Sequence, residues 1–190
     1  MVNEALIQKA RLHVRRWFAE RMPSYLVFHD LDHTLSVTRT ALAIGRASGV
    51  GRHELLLLEL AGLFHDAGYA LKRKGHEKES ARLALAFLKK YGVSTSDQLR
   101  VRALIMATRA AAEPRGLLQQ VLRDADQSKA GQPDFLEKSE RLRDELSHLQ
   151  LKHQGAKAWL KTNIAYLQNH RFHTAYAIKR YGPQKAVNLK

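Results

Sequence analysis

Apolar residues recur every three to four positions along most of the chain, the spacing of amphipathic helices. In residues 5–22, Leu6, Ala10, Val14, Trp17 and Phe18 share a face, Arg11, Arg15 and Glu20 lie off it, and Pro23 ends the stretch. Residues 33–47 repeat the pattern with Leu35, Thr38, Leu42 and Gly45, before Gly49 and Gly51 interrupt it. Residues 52–66 differ, because Leu55, Leu56, Leu57, Leu58, Leu60, Leu63 and Phe64 leave little polar face. A helix apolar on most sides is a central, buried one, and Gly68 is placed to end it. Further helices are predicted over 75–91, over 98–108 behind the capping pair Ser94 and Asp97, and over 114–125. Beyond a loop at Gly131 and Pro133, two or three more follow, roughly 134–153 and 156–180, with Gly182 and Pro183 opening a short tail. No alternating strand pattern, internal repeat or low-complexity tract intervenes. The expectation is an all-α, single-domain helical bundle of about eight or nine helices, its core over about 25–130 and C-terminal helices over about 134–190.

Charge adds a second layer. Lys and Arg total 32 against 18 acids, a formal net charge of +14, and no acid follows Glu145. The last 45 residues carry Lys152, Lys157, Lys161, Arg171, Lys179, Arg180, Lys185 and Lys190. Such a field attracts polyanions, so nucleotides and, through the basic C-terminal region, nucleic acid are the candidate partners. The absence of cysteine excludes disulfides, thiolate metal sites and cysteine nucleophiles, and is compatible with the cytoplasm, the expected location. No apolar run approaches the roughly 20 residues needed to span a bilayer. The first sixteen residues, with Glu4, Lys9, Arg11, Arg15 and Arg16, lack a signal-peptide core.

The chemistry gathers at helix ends. His65 and Asp66 close the most apolar helix, and a buried carboxylate costs several kcal/mol unless it is paired or bound to a metal. An imidazole beside a carboxylate suits a divalent cation such as manganese, iron, magnesium or zinc. Further ligands are available at His33, in His29-Asp30-Leu31-Asp32-His33-Thr34, and at Asp124 or Asp126, which point to different sides of one helix. A bundle can bring such termini to one pocket. His170 and His173, spaced i, i+3, are either a metal pair or packed beside Phe172 and Tyr176, and packing is the expectation. Trp159 and Tyr166 read as core residues.

The ordered set His33, His65-Asp66, Asp126 resembles the HD-domain phosphohydrolase superfamily. Within one branch of it, His29 to Thr34 is similar to a first motif and Phe64-His65-Asp66-Ala67-Gly68 to a second. His76-Glu77 with Ser80 and Ala81, Ile105 with Ala107-Thr108, and Asp124-Ala125-Asp126 are similar to later ones. Trp159, the run from His170 to Thr174, Lys185 and Asn188-Leu189 extend the likeness to the C-terminus. The resemblance implies an HD-type bundle, a divalent metal held by His33, His65, Asp66 and Asp126, and hydrolysis of a phosphomonoester, phosphodiester or pyrophosphate bond by a metal-activated water. A small phosphorylated molecule, a nucleotide first, is the implied substrate. Asp66 would bridge metal and water, and His29 and His76 would hold a second metal, contact phosphate or protonate the leaving group. Where many relatives carry a lysine after the second motif's glycine, this chain has Tyr69, and Lys72, Lys74 and Arg109 are the candidate phosphate-binding residues. The acidic pair of alarmone-hydrolysing members and the histidine pair of cyclic-dinucleotide members are missing, so neither substrate is implied. The alternative is a nucleotide-sensing or nucleic-acid-binding module that keeps the metal pocket with little turnover.

Overall fold

The computed structural model describes residues 1–149 and 155–190. Among them are nine α-helices and no strand: α1 (Glu4–Arg21), α2 (Leu31–Ala47), α3 (Arg52–Phe64), α4 (His76–Lys90), α5 (Thr95–Met106), α6 (Leu117–Asp126), α7 (Phe135–His148), α8 (Ala156–Asn169) and α9 (Ala175–Asn188). Two short 3-10 helices, Ala67–Ala70 and Ser128–Gly131, follow α3 and α6. The fold is the single all-α bundle that the hydrophobic periodicity predicts.

Helix α3 is the axis of the molecule. Every residue from Leu56 to Phe64 is buried, and α1, α2, α4, α5 and α6 all pack against it. Burial of each leucine is worth about 1.5–3 kcal/mol. Helix α2 approaches so closely that a Cβ on Gly62 would lie 3.1 Å from the Thr38 Cα. Glu59, the charged residue within this run, is tied to α1, where the Arg11 Nε donates to its carboxylate at 2.8 Å.

Helix starts follow local capping chemistry. The Asp30 carboxylate accepts the His33 backbone N–H at 2.8 Å, satisfying a donor the helix leaves open and setting His33 in the first turn of α2. Helix α4 begins directly after Gly75, whose φ of 80° is left-handed backbone that glycine enters without penalty.

The C-terminal region departs from the predicted pattern. The helix expected over 156–180 is two helices, broken at residues 170–174. There the Asp124 carboxylate accepts the backbone N–H groups of His173 at 2.9 Å and Thr174 at 2.8 Å, and the Thr174 hydroxyl at 2.7 Å. Helix α9 then runs through Gly182 and Pro183 instead of ending there. Its far end is anchored by Asn188, whose Nδ2 donates to the carbonyls of Ala130 at 3.0 Å and Gln132 at 2.9 Å. Such tertiary bonds offset part of the local cost of Pro183 inside the helix. The expected helix over 134–153 is observed as α7 up to His148, and positions 150–153 lie outside the described residues.

Candidate metal centre

Four side chains from three helix ends converge at one end of the bundle. His33 comes from the start of α2, His65 and Asp66 from the residues just past α3, and Asp126 from the last position of α6. The His65 Nε2 lies 3.1 Å and the His33 Nε2 3.4 Å from the Asp66 Oδ2. The Asp126 Oδ1 is 3.6 Å from both imidazole nitrogens. Metal–ligand bonds of about 2.0–2.2 Å separate neighbouring donors by roughly 3–3.5 Å, so the spacing suits one small cation. Among the described residues, His33, His65 and Asp66 form a group whose donor atoms all lie within 4.8 Å of one another.

The protonation pattern points the same way. The His65 Nδ1 donates to the Gly62 carbonyl at 2.7 Å, which turns its Nε2 toward the cluster. That Nε2 and the Asp66 Oδ2 are buried and have no hydrogen-bond partner. Two acceptors facing each other in a dry site require something positive between them. Burial pulls the His65 imidazole down, yet Asp66 and Asp126 hold it well above its ordinary value. Burial likewise pulls His33 down, and Asp126 and Asp66 raise it overall. Against the burial penalty, His65 and His33 hold the Asp66 carboxyl far below the usual range, and His33 and His65 depress Asp126. The residues therefore fit a divalent cation, which would take the place of the protons they share.

Around this centre the other candidates take distinct positions. The His76 Nδ1 donates to the Arg73 carbonyl at 3.0 Å, and its Nε2 lies 3.5 Å from the Asp66 Oδ1. The His29 Nδ1 donates to the Glu145 carboxylate at 2.6 Å, and the Tyr69 hydroxyl meets its Nε2 at 3.2 Å. Burial keeps His29 below its ordinary value despite Glu145, so its ring is neutral at pH 7. The Tyr69 ring is stacked between His29, centroids 4.1 Å apart, and His76, 3.7 Å apart. Asp124, the rival carboxylate, faces the other way, into the cap of α9. His170 is buried beside Phe172, and His173 is exposed.

His29, His33, Asp66, Tyr69, His76 and Asp126 border a cavity of about 280 Å³, lined also by Phe28, Glu77, Thr108, Lys129 and Tyr166. Lys72, Lys74 and Arg109 are not in its wall. Lys72 is paired with Glu79 at 3.1 Å, and Lys74 and Arg109 are exposed. The cation in the cavity is Lys129, pushed down to about 8 by burial. Sequence reasoning passed over it, although it stands three residues after Asp126, a spacing that shares a helical face. Glu145 was passed over too, and nothing local marks it: it joins His29 across 116 residues. Tyr166, expected in the core, borders the cavity.

A helical bundle carrying a histidine–aspartate doublet completed by a histidine from one helix end and an aspartate from another defines a class of metal-binding domain. The HD-domain family model matches residues 30–131, and the chain belongs to that family. HD domains bind divalent metal, and His33, His65 and Asp66 form a group that can hold one. Among solved structures, a protein from Lactobacillus plantarum has 16% identity and a TM-score of 0.72, over 98% of this chain and 93% of that one. A protein from an uncultured Thermotogales bacterium, described as a predicted HD superfamily hydrolase, has 22% identity and a TM-score of 0.63, over 96% and 86%. Bacillus subtilis YpgQ, solved in complex with ADP, has 19% identity and a TM-score of 0.64, over 97% and 92%. No curated protein matches the chain. Among the described residues, no helix is long and apolar enough to cross a membrane.

Proposed function

We propose that this protein is a metal-dependent phosphohydrolase that cleaves a phosphoester or pyrophosphate bond of a small phosphorylated molecule, a nucleotide first. The observation that carries the reading is the buried, unpartnered pair formed by the His65 Nε2 and the Asp66 Oδ2, with His33 and Asp126 beside it at the wall of a cavity. Membership of the HD-domain family supports hydrolysis, and the ADP bound by YpgQ supports a nucleotide.

His33, His65, Asp66 and Asp126 would hold the ion. A divalent ion held there would supply an acidified water and polarisation of a phosphoryl oxygen. Asp66 has its second carboxylate oxygen turned to His76, so the imidazole fixes the orientation of the carboxylate. The same imidazole borders the cavity and can hold a proton at its Nε2 for the departing oxygen. His29 has both nitrogens engaged, by Glu145 and by Tyr69, so its part is to position the Tyr69 ring against His76.

The test joins metal analysis of the purified chain to a nucleotide panel assayed with manganese. His65→Ala and Asp66→Ala should lose bound metal and at least about 100-fold in turnover, the scale of removing one group that acts on the reacting atoms, while helical content stays. Undiminished turnover in either variant refutes the assignment. Metal and nucleotide binding without product, in the native chain, would favour a sensing module.

A further inference from the structure

We propose that Lys129 is the residue that grips the substrate's phosphate in the cavity, an anion-binding role that rests on the phosphohydrolase reading above. Lys129 follows Asp126 in the 3-10 turn Ser128–Gly131 and borders two spaces. One is the cavity of about 280 Å³ beside the metal centre, and the other is a neighbouring recess of about 40 Å³ that shares Phe28, His33 and Asp126 with it. Its Nζ stands 4.1 Å from the centroid of the Phe28 ring and 5.8 Å from that of Tyr166. Two aromatic walls thus hold the amine at the cavity by cation–π attraction.

What singles this cation out is the lack of an anion. Among the described residues no hydrogen bond or ion pair engages its ammonium group. The acids around it are already committed. Glu145 takes the backbone N–H groups of Phe28 and His29 and the His29 ring, and Asp126 faces the two imidazoles. The other two cations of the recess are neutralised, Lys138 by Asp134 at 2.9 Å and Arg141 by Asp30 at 2.6 Å. A sheltered ammonium group has three donors to satisfy, and leaving them empty costs free energy. A phosphate oxygen in the cavity meets that need with a charge-assisted hydrogen bond, on the side of the cavity where the metal ligands also lie. Burial lowers the amine to about 8, so it carries its charge at neutral pH.

The experiment is a calorimetric titration of the full chain with inorganic phosphate, manganese present, comparing the native protein with Lys129→Met, Lys129→Arg and, as a surface control, Lys89→Ala. Lys129→Met should weaken phosphate binding about 10- to 100-fold, the worth of one hydrogen bond to a charged group. Lys129→Arg should keep part of the affinity and Lys89→Ala all of it. The melting temperature of Lys129→Met should stay within a few degrees of native, because the substitution breaks no hydrogen bond or ion pair and methionine keeps an apolar stem against Phe28 and Tyr166. Native affinity in Lys129→Met, no phosphate binding by the native protein, or a fall in melting temperature that accounts for the lost binding would each overturn the inference. Phosphate binding that depends on Lys129 in a protein that turns over no nucleotide keeps this inference and removes the hydrolase reading. Nucleotide turnover with unchanged KM in Lys129→Met does the reverse.

Discussion

His170 is an imidazole with nothing to bond to. It is buried, neither ring nitrogen has a hydrogen-bond partner, and Phe172 meets it edge-on at 4.5 Å. Burial, with Lys185, His173, Arg123 and Arg171 nearby, pushes it from 6.5 down to about 4. The unfolded chain therefore takes up a proton here before the folded protein does, and stability must fall with pH across that interval. The contribution is intact above about pH 6.5 and is largely lost as the pH falls to about 4, a change of roughly 3 kcal/mol. His170→Phe should flatten this part of the profile, seen as a smaller drop in melting temperature from pH 7 to pH 4 than in the native chain. Residue type alone did not foretell this. His170 and His33 are the same residue type, and only their neighbours leave one buried without a partner and set the other between two carboxylates. Asp124 and Asp126 repeat the point: two positions apart, one caps α9 and the other faces the imidazoles.

At the scale of elements, the short turn after α3 is clasped by α4. The Gly68 N–H donates to the Ser80 hydroxyl at 2.8 Å, and a Cβ on Gly68 would lie 2.1 Å from the His76 carbonyl and 2.6 Å from the Ser80 nitrogen. Both obstacles are backbone, so no side-chain rotation relieves them. Gly68→Ala should push the start of α4 away, cost about 3 kcal/mol or more, and weaken metal binding by displacing His76 from Asp66. Thermal melts and a metal titration of the variant read both effects, and a variant with native values would show that α4 yields freely. The helices that build this end of the molecule were legible because their apolar stripes are strong. Leu56 to Phe64 of α3, buried on every side, is the clearest case. The break before α9 was not, because its cause is a carboxylate about 50 residues upstream. Local signals at Gly182 and Pro183 pointed to an end where distant hydrogen bonds keep the helix going.

The whole molecule closes on itself through Glu145. This fully buried carboxylate on α7 collects the backbone N–H groups of Phe28 at 3.0 Å and His29 at 3.1 Å, besides the His29 ring. The family model ends at residue 131, yet the segment leading into His33 is held by a residue beyond it, and Tyr166 of α8 borders the same cavity. Glu145→Ala strands two buried donors and an imidazole, so it should destabilise by about 3–5 kcal/mol and lower metal affinity by loosening the entry to α2. Chemical denaturation with a parallel metal titration checks both, and a stability within 1 kcal/mol of native would contradict the tie. The net charge of +14 reads at this scale as well, as a field that draws anions toward the chain without choosing among them.

One contact at the edge of this centre has a practical side. The indole N–H of Trp17, on α1, donates at 2.9 Å to the carbonyl of Ala67, the residue next to Asp66. One of the two tryptophans in the chain is thereby tied to the backbone one residue past the histidine–aspartate doublet. The protein carries its own fluorophore at the point where an arriving ion would tug, so its ultraviolet emission offers a label-free signal of loading.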